Sequence, residues 1–122
     1  MSPFPDNLPA GEPTIDFSRV AEVAEGDAAF ERKVLETYVQ DLTRRIEVLQ
    51  NALANNDLKT AVLEAHNIKG ASGNVGALSM RAAAEACEQA AREGATEPAT
   101  MALRRIRAEF ARVSSAIATR LA

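Results

Sequence analysis

Apolar residues recur along this chain at three- and four-residue steps, and four stretches carry the pattern long enough to predict helices. In the first, Phe30, Val34, Leu35, Tyr38, Leu42, Ile46, Leu49 and Leu53 run to about Ala54. Glu31, Lys33, Glu36, Asp41, Arg44, Glu47 and Asn51 fall on the opposite, wet face. Asp27 precedes this stretch as an N-cap, Asn55 and Asn56 form the following turn, and Asp57 caps the second. That second helix directs Leu58, Ala61, Val62, Ala65 and Ile68 to the core, with Ser72 and Val75 beyond, and a turn is expected over Gly73 to Gly76. Met80, Ala84, Cys87 and Ala91 step along the third, which ends near Glu93 and Gly94. Thr96 and Pro98 open the last, where Leu103, Ile106, Phe110, Val113, Ile117 and Leu121 alternate three- and four-residue steps as a bundle seam. A shorter helix is predicted over Ile15 to Glu25, with Ile15, Phe17, Val20 and Val23 as its apolar side and Gly26 as its breaker.

No strand pattern competes. Four long helical patterns with short connections predict an all-α fold: an antiparallel up-down-up-down four-helix bundle with a short additional N-terminal helix. Residues 1–14 hold Pro3, Pro5, Pro9 and Pro13 and little that could pack, so they read as a flexible Pro-rich leader. The bundle domain is then 15–122. Alanine-rich segments such as Ala82 to Ala84, with Ala86, Ala90 and Ala91, permit short interaxial distances.

Composition narrows the function. The apolar content of 47% includes only 4% aromatics and no Trp, which favours close-packed helices. A formal charge of −3 gives no reason to expect nucleic acid or an anionic membrane as partner. Cys87 is the only cysteine, so no internal disulfide can form, and it reads as a small apolar filler. No apolar run approaches the roughly 18 residues of a membrane span, and no secretory signal is legible. A cytoplasmic protein is expected.

The chemistry-bearing stretch runs from Leu63 to Gly76. It holds the only histidine, His66, with Lys69 three residues on and Gly70, Gly73 and Gly76 beyond. On a helix His66, Lys69, Gly70 and Gly73 share one stripe, which extends backwards through Leu63, Val62 and Lys59. His66 falls at the edge of the buried stripe, next to core position Ala65. Each helical glycine costs about 1 kcal/mol relative to alanine, so their presence here suggests that clearance is what they provide. Glu85, Glu88 and Gln89 on the next helix are the candidate neighbours of the imidazole.

The pattern His-x-Ile-Lys-Gly-x-Ser-Gly-Asn-Val-Gly-Ala, from His66 to Ala77, resembles the signature of histidine-containing phosphotransfer (HPt) domains. The resemblance implies that His66 is a phosphoacceptor, with Lys69 offsetting the phosphoryl charge. A polar residue about six turns beyond the histidine holds the tautomer in that family, and Glu88 matches it, with Gln89 adjacent. Gly70 and Gly73 would leave room for a partner's acidic pocket, with Lys59 a weaker docking candidate. The implied partners are response-regulator receiver domains and a hybrid sensor histidine kinase, with the protein itself a monomer.

No P-loop, kinase glycine loop or nucleotide-binding sheet is present, so the chain is expected to be a phosphocarrier and not a kinase. No cofactor or metal site of its own is expected; Mg²⁺ would come from the partner receiver domain. The alternative is a helical-bundle adaptor that binds a signalling partner without phosphotransfer. A kinase dimerisation module fits poorly because Asn67 and Ile68 follow the histidine where Glu is typical. A metal- or haem-binding bundle lacks any Glu-x-x-His motif.

Overall fold

In the computed structural model, residues 14–122 are described; the Pro-rich leader expected over residues 1–14 lies outside them but for Thr14. Five helices follow in order: α1 (Ser18–Ala24), α2 (Ala28–Ala54), α3 (Leu58–Val75), α4 (Leu78–Arg92) and α5 (Thr96–Leu121). Helices α2 to α5 pack in a closed ring, each against the next in sequence and α5 back on α2, with α1 lying against α2 and α3. The connections are two or three residues long, so consecutive helices are antiparallel. This is the bundle that the periodicity predicted, with its extra N-terminal helix, and no strand occurs among the described residues.

Local chemistry sets the boundaries. The Asp27 carboxylate accepts from Phe30 N at 3.0 Å and the Asp57 carboxylate from Thr60 N at 3.2 Å, caps of about 1 kcal/mol each. Gly76 adopts a left-handed φ of +81° and closes α3 with hydrogen bonds back to Ser72 and Gly73. The helix therefore continues through Gly73, which is not part of the turn as the glycine spacing suggested. At the other end of the chain, α1 starts three residues later than expected. Asp16 N donates to Gly76 O at 2.8 Å, and the Asp16 carboxylate accepts from both Ser18 N and Ser18 Oγ, so an Asx turn precedes the first helical turn.

Leu35, Leu42 and Leu49, seven residues apart, are fully buried, as are Ile68, Met80, Ile106 and Val113. Burying each such side chain contributes about 1.5–3 kcal/mol. Cys87 is buried among them, and burial pushes its thiol up to about 11, so it is inert filler. Two positions depart from the predicted stripes. Val23 and Phe30 are 62% and 46% exposed, Phe30 lying in the first turn of α2. Behind the chemistry-bearing stretch, the Tyr38 hydroxyl and Ser72 Oγ share a buried 2.8 Å hydrogen bond that ties α2 to α3.

Candidate functional site

The facing surfaces of α3 and α4 are built from small side chains: Ala61, Ala65, Ala83, Ala84, Cys87 and Ala91 are all buried. That lets the two helices approach closely enough for a glutamate on one to bond a histidine on the other. Glu88 Oε2 lies 3.1 Å from His66 Nδ1. The imidazole side chain is 57% exposed while Glu88 is 6% exposed, so the carboxylate forms a buried floor and the ring stands over it toward solvent.

Three groups converge on that carboxylate. Lys69 Nζ is 2.8 Å from Oε1. Arg92 donates to Oε2 through Nη2 at 2.6 Å and Nε at 3.2 Å, and His66 shares the same oxygen. Burial pushes the Glu88 carboxyl up, but the hydrogen bonds from Lys69, Arg92 and His66 outweigh it and hold the group down at about 2. An ionised carboxylate can only accept, so His66 Nδ1 must donate, and in the neutral ring the lone pair is then on Nε2. Nε2 has no hydrogen-bond partner among the described residues. The arrangement is a nucleophile with its tautomer fixed from beneath.

One anion and two cations leave this cluster with a net positive charge before anything binds. Lys69 is therefore an ion-pair partner of Glu88 as well as a neighbour of the ring, which spacing alone did not indicate. Arg92 was not singled out by the sequence, although its position four residues after Glu88 on α4 is the usual spacing for a helical ion pair. Gln89 does not partner the imidazole: its Nε2 donates to Glu93 Oε2 at 2.8 Å on the exposed side of α4. Glu85 is also exposed. Lys59 is exposed and lines, with Leu63, His66 and Arg92, a depression beside the ring; Leu63 is 56% exposed there.

The two glycines differ. A Cβ on Gly70 would meet nothing within 4 Å, so that position faces open space one turn beyond His66. A Cβ on Gly73 would lie 3.3 Å from Arg81 Cδ, so its clearance serves the Arg81 side chain and not an open surface.

The Glu88 cluster has a measurable consequence. A carboxyl held at about 2 against an ordinary 4.5 stabilises the fold fully above about pH 4.5, and that contribution is lost as pH falls through 2. At 1.36 kcal/mol per unit the loss is at most about 3 kcal/mol. Urea unfolding between pH 5 and 2 should show it, and Glu88→Gln should flatten that acid limb; an unchanged limb would remove Glu88 as its source.

Comparison with known proteins follows the same lines. The sequence profile of the family described as Hpt domain matches residues 33–116. A phosphorelay intermediate protein, rdeA of Dictyostelium discoideum, is 33% identical over 60 residues, which are 49% of this chain and 24% of that protein. The chain thus spans about a quarter of the length of the curated relative it matches. Among solved structures, histidine-containing phosphotransfer protein B (HptB) from Pseudomonas aeruginosa PAO1 superposes with a TM-score of 0.84 at 28% identity, covering 89% of this chain and 95% of that one. The HPT domain of a sensor hybrid histidine kinase from Shewanella shares the fold, with a TM-score of 0.74 at 22% identity over 88% of this chain and 93% of that one.

Proposed function

The chain belongs to the Hpt domain family, and from that premise we propose that it is a phosphorelay carrier, with His66 as the residue that is phosphorylated. The observation that supports this most directly is the pairing of a solvent-exposed His66 ring with a buried, ionised Glu88 at its Nδ1. In the forward step Nε2 attacks the phosphorus of an aspartyl phosphate on a receiver domain. The phosphorus–oxygen bond to the aspartate breaks, a nitrogen–phosphorus bond forms, and the aspartate leaves as a carboxylate. The ring keeps its Nδ1 proton and so becomes cationic, and Glu88 stands where that charge develops. Lys69 and Arg92 offset a phosphoryl group bearing nearly two negative charges. The reverse step passes the group to another receiver aspartate.

Mg²⁺ belongs on this account to the receiver's carboxylates, and ATP chemistry to the kinase that feeds the relay. A cytoplasmic monomer meeting receiver domains and a hybrid sensor kinase fits the exposed ring; no helix among the described residues is long and apolar enough to cross a membrane. The test is to mix the chain with a receiver domain carrying radiolabelled aspartyl phosphate. Acid-labile, base-stable label on this chain is expected, whereas its absence leaves only an adaptor role.

Gly70 provides a second check. Because nothing fills the space above it, Gly70→Ala should raise stability by about 1 kcal/mol through helix propensity alone. Gly70→Leu should fold equally well but lower the rate of transfer from a receiver at least about tenfold, by obstructing docking beside the ring. Unaltered transfer in the leucine variant would remove the clearance role.

A further inference from the structure

Beside His66 lies a cationic groove of which the chemistry above uses only Lys69. This groove of about 470 Å³ between α1, the second half of α3 and α4 is lined by Asp16, Arg19, Lys69, Gly70, Gly73 and Arg81. Three of these are cations, in a chain whose net charge is −3. Six arginines are engaged with acids: Arg32 with Glu36, Arg44 and Arg45 with Asp41, Arg92 with Glu88, Arg112 with Glu109, Arg120 with Glu31. Arg19 and Arg81 form no ion pair among the described residues. Arg19 Nη2 reaches only the Gly73 carbonyl, at 3.4 Å, and Arg81 lays its methylene stem against Gly73. The one acid in the groove, Asp16, already accepts from Ser18 N and Ser18 Oγ.

The fold holds these arginines in place. Gly76 allows the Asp16 backbone to approach so closely that a Cβ there would sit 2.3 Å from Asp16 O, and the Asp16 N to Gly76 O bond fixes the start of α1. Arg19 rides on that joint. Gly73, by lacking a side chain, admits Arg81 from the other side. Two guanidinium groups on separate helices therefore bracket α3 next to Gly70, the open position beyond His66.

We propose that Arg19 and Arg81 form a docking clamp for acidic side chains of the receiver domain that closes over His66, setting the rate and orientation of encounter and not the chemistry. This rests on the reading of His66 as phosphoryl carrier. Lys69 is held by Glu88, and Arg19 feels the charge of Asp16 without forming an ion pair with it, so the positive charge free of ion pairs at this edge belongs to the two arginines. Guanidinium forks match carboxylates bidentately, which suits acidic side chains at the rim of a partner's pocket rather than those that hold its Mg²⁺. Charge complementarity of this kind raises association rates by about 10–10³-fold and is screened by salt.

The experiment compares the parent chain with Arg19→Gln/Arg81→Gln and Arg19→Glu/Arg81→Glu, using a phosphorylated receiver domain that transfers to the parent. At low salt the second-order rate constant should fall at least about tenfold in the glutamine variant and further in the glutamate variant, converging on the parent at high salt. The single-turnover rate at saturating receiver should not change. Labelling of His66 by the small donor phosphoramidate, in which its nitrogen–phosphorus bond breaks and ammonia leaves, should be the same in all three proteins. Receiver transfer unchanged at low salt overturns the clamp. Equal losses with receiver and phosphoramidate also overturn it, by placing the arginines in the chemistry. Failure of the parent itself to accept label from phosphoramidate counts instead against His66 as carrier.

Discussion

His66→Gln should leave the chain unlabelled by a phosphorylated receiver while its melting temperature stays within about 2 °C of the parent, as expected for an exposed substitution worth under about 0.5 kcal/mol. The two readouts separate because the ring and its floor do different work. The imidazole is more than half exposed and contributes little packing. Glu88 keeps Lys69 and Arg92 when the ring is removed, so no buried carboxylate is orphaned, and a glutamine amide can still donate to it. What disappears is the one ring nitrogen whose lone pair is directed outward by the Nδ1 to Glu88 bond. His66 is the only histidine, so no second imidazole can substitute. Label persisting in this variant would place the carrier elsewhere and end the phosphohistidine assignment.

A large loss of stability is also expected outside the leucine core, at Gly76. Gly76→Ala puts a Cβ 2.3 Å from Asp16 O and 3.1 Å from Arg19 Cγ, in a backbone conformation of φ +81° that alanine adopts at a cost of about 1–2 kcal/mol. The first obstacle is backbone, so it cannot rotate away. Relief requires α1 to move off α3, which breaks the Asp16 N to Gly76 O bond and uncovers Val20, now 1% exposed. A total of about 2–4 kcal/mol is expected by thermal or denaturant unfolding. By contrast Gly94→Ala, also at positive φ but with open space around it, should cost only the backbone term. Equal losses at the two positions would show that the α1 contact contributes nothing. Because Arg19 sits on the same joint, Gly76→Ala should also slow receiver transfer at low salt.

Much of the bundle was legible because its signals are local. The α2 seam of Leu35, Leu42 and Leu49 follows from helical periodicity, and Asp27 and Asp57 announce helix starts through the donors they satisfy. The departures are where a neighbour decides. Phe30 fits the α2 stripe by spacing, yet in the first turn of the helix it stays 46% exposed. Gly73 reads as a turn residue, yet the left-handed stop falls at Gly76 and helix continues up to it. Gln89 and Glu88 are adjacent in sequence and about 100° apart on the helix, so only one can face α3.

The order of residues by itself determined that the chain is an all-α bundle, that His66 lies at the boundary of a buried stripe, and that Lys69 and Gly70 accompany it on one face. These depend on the 3.6-residue period, which any single helix already carries. Only the tertiary structure decided that Glu88 lies beneath the ring, that Arg92 joins Lys69 on its carboxylate, and that Arg19 and Arg81 meet across Gly73. Those relations join different helices, so they depend on how closely the alanine-lined faces approach and how far each helix is rotated. Neither quantity is written in the period of one segment.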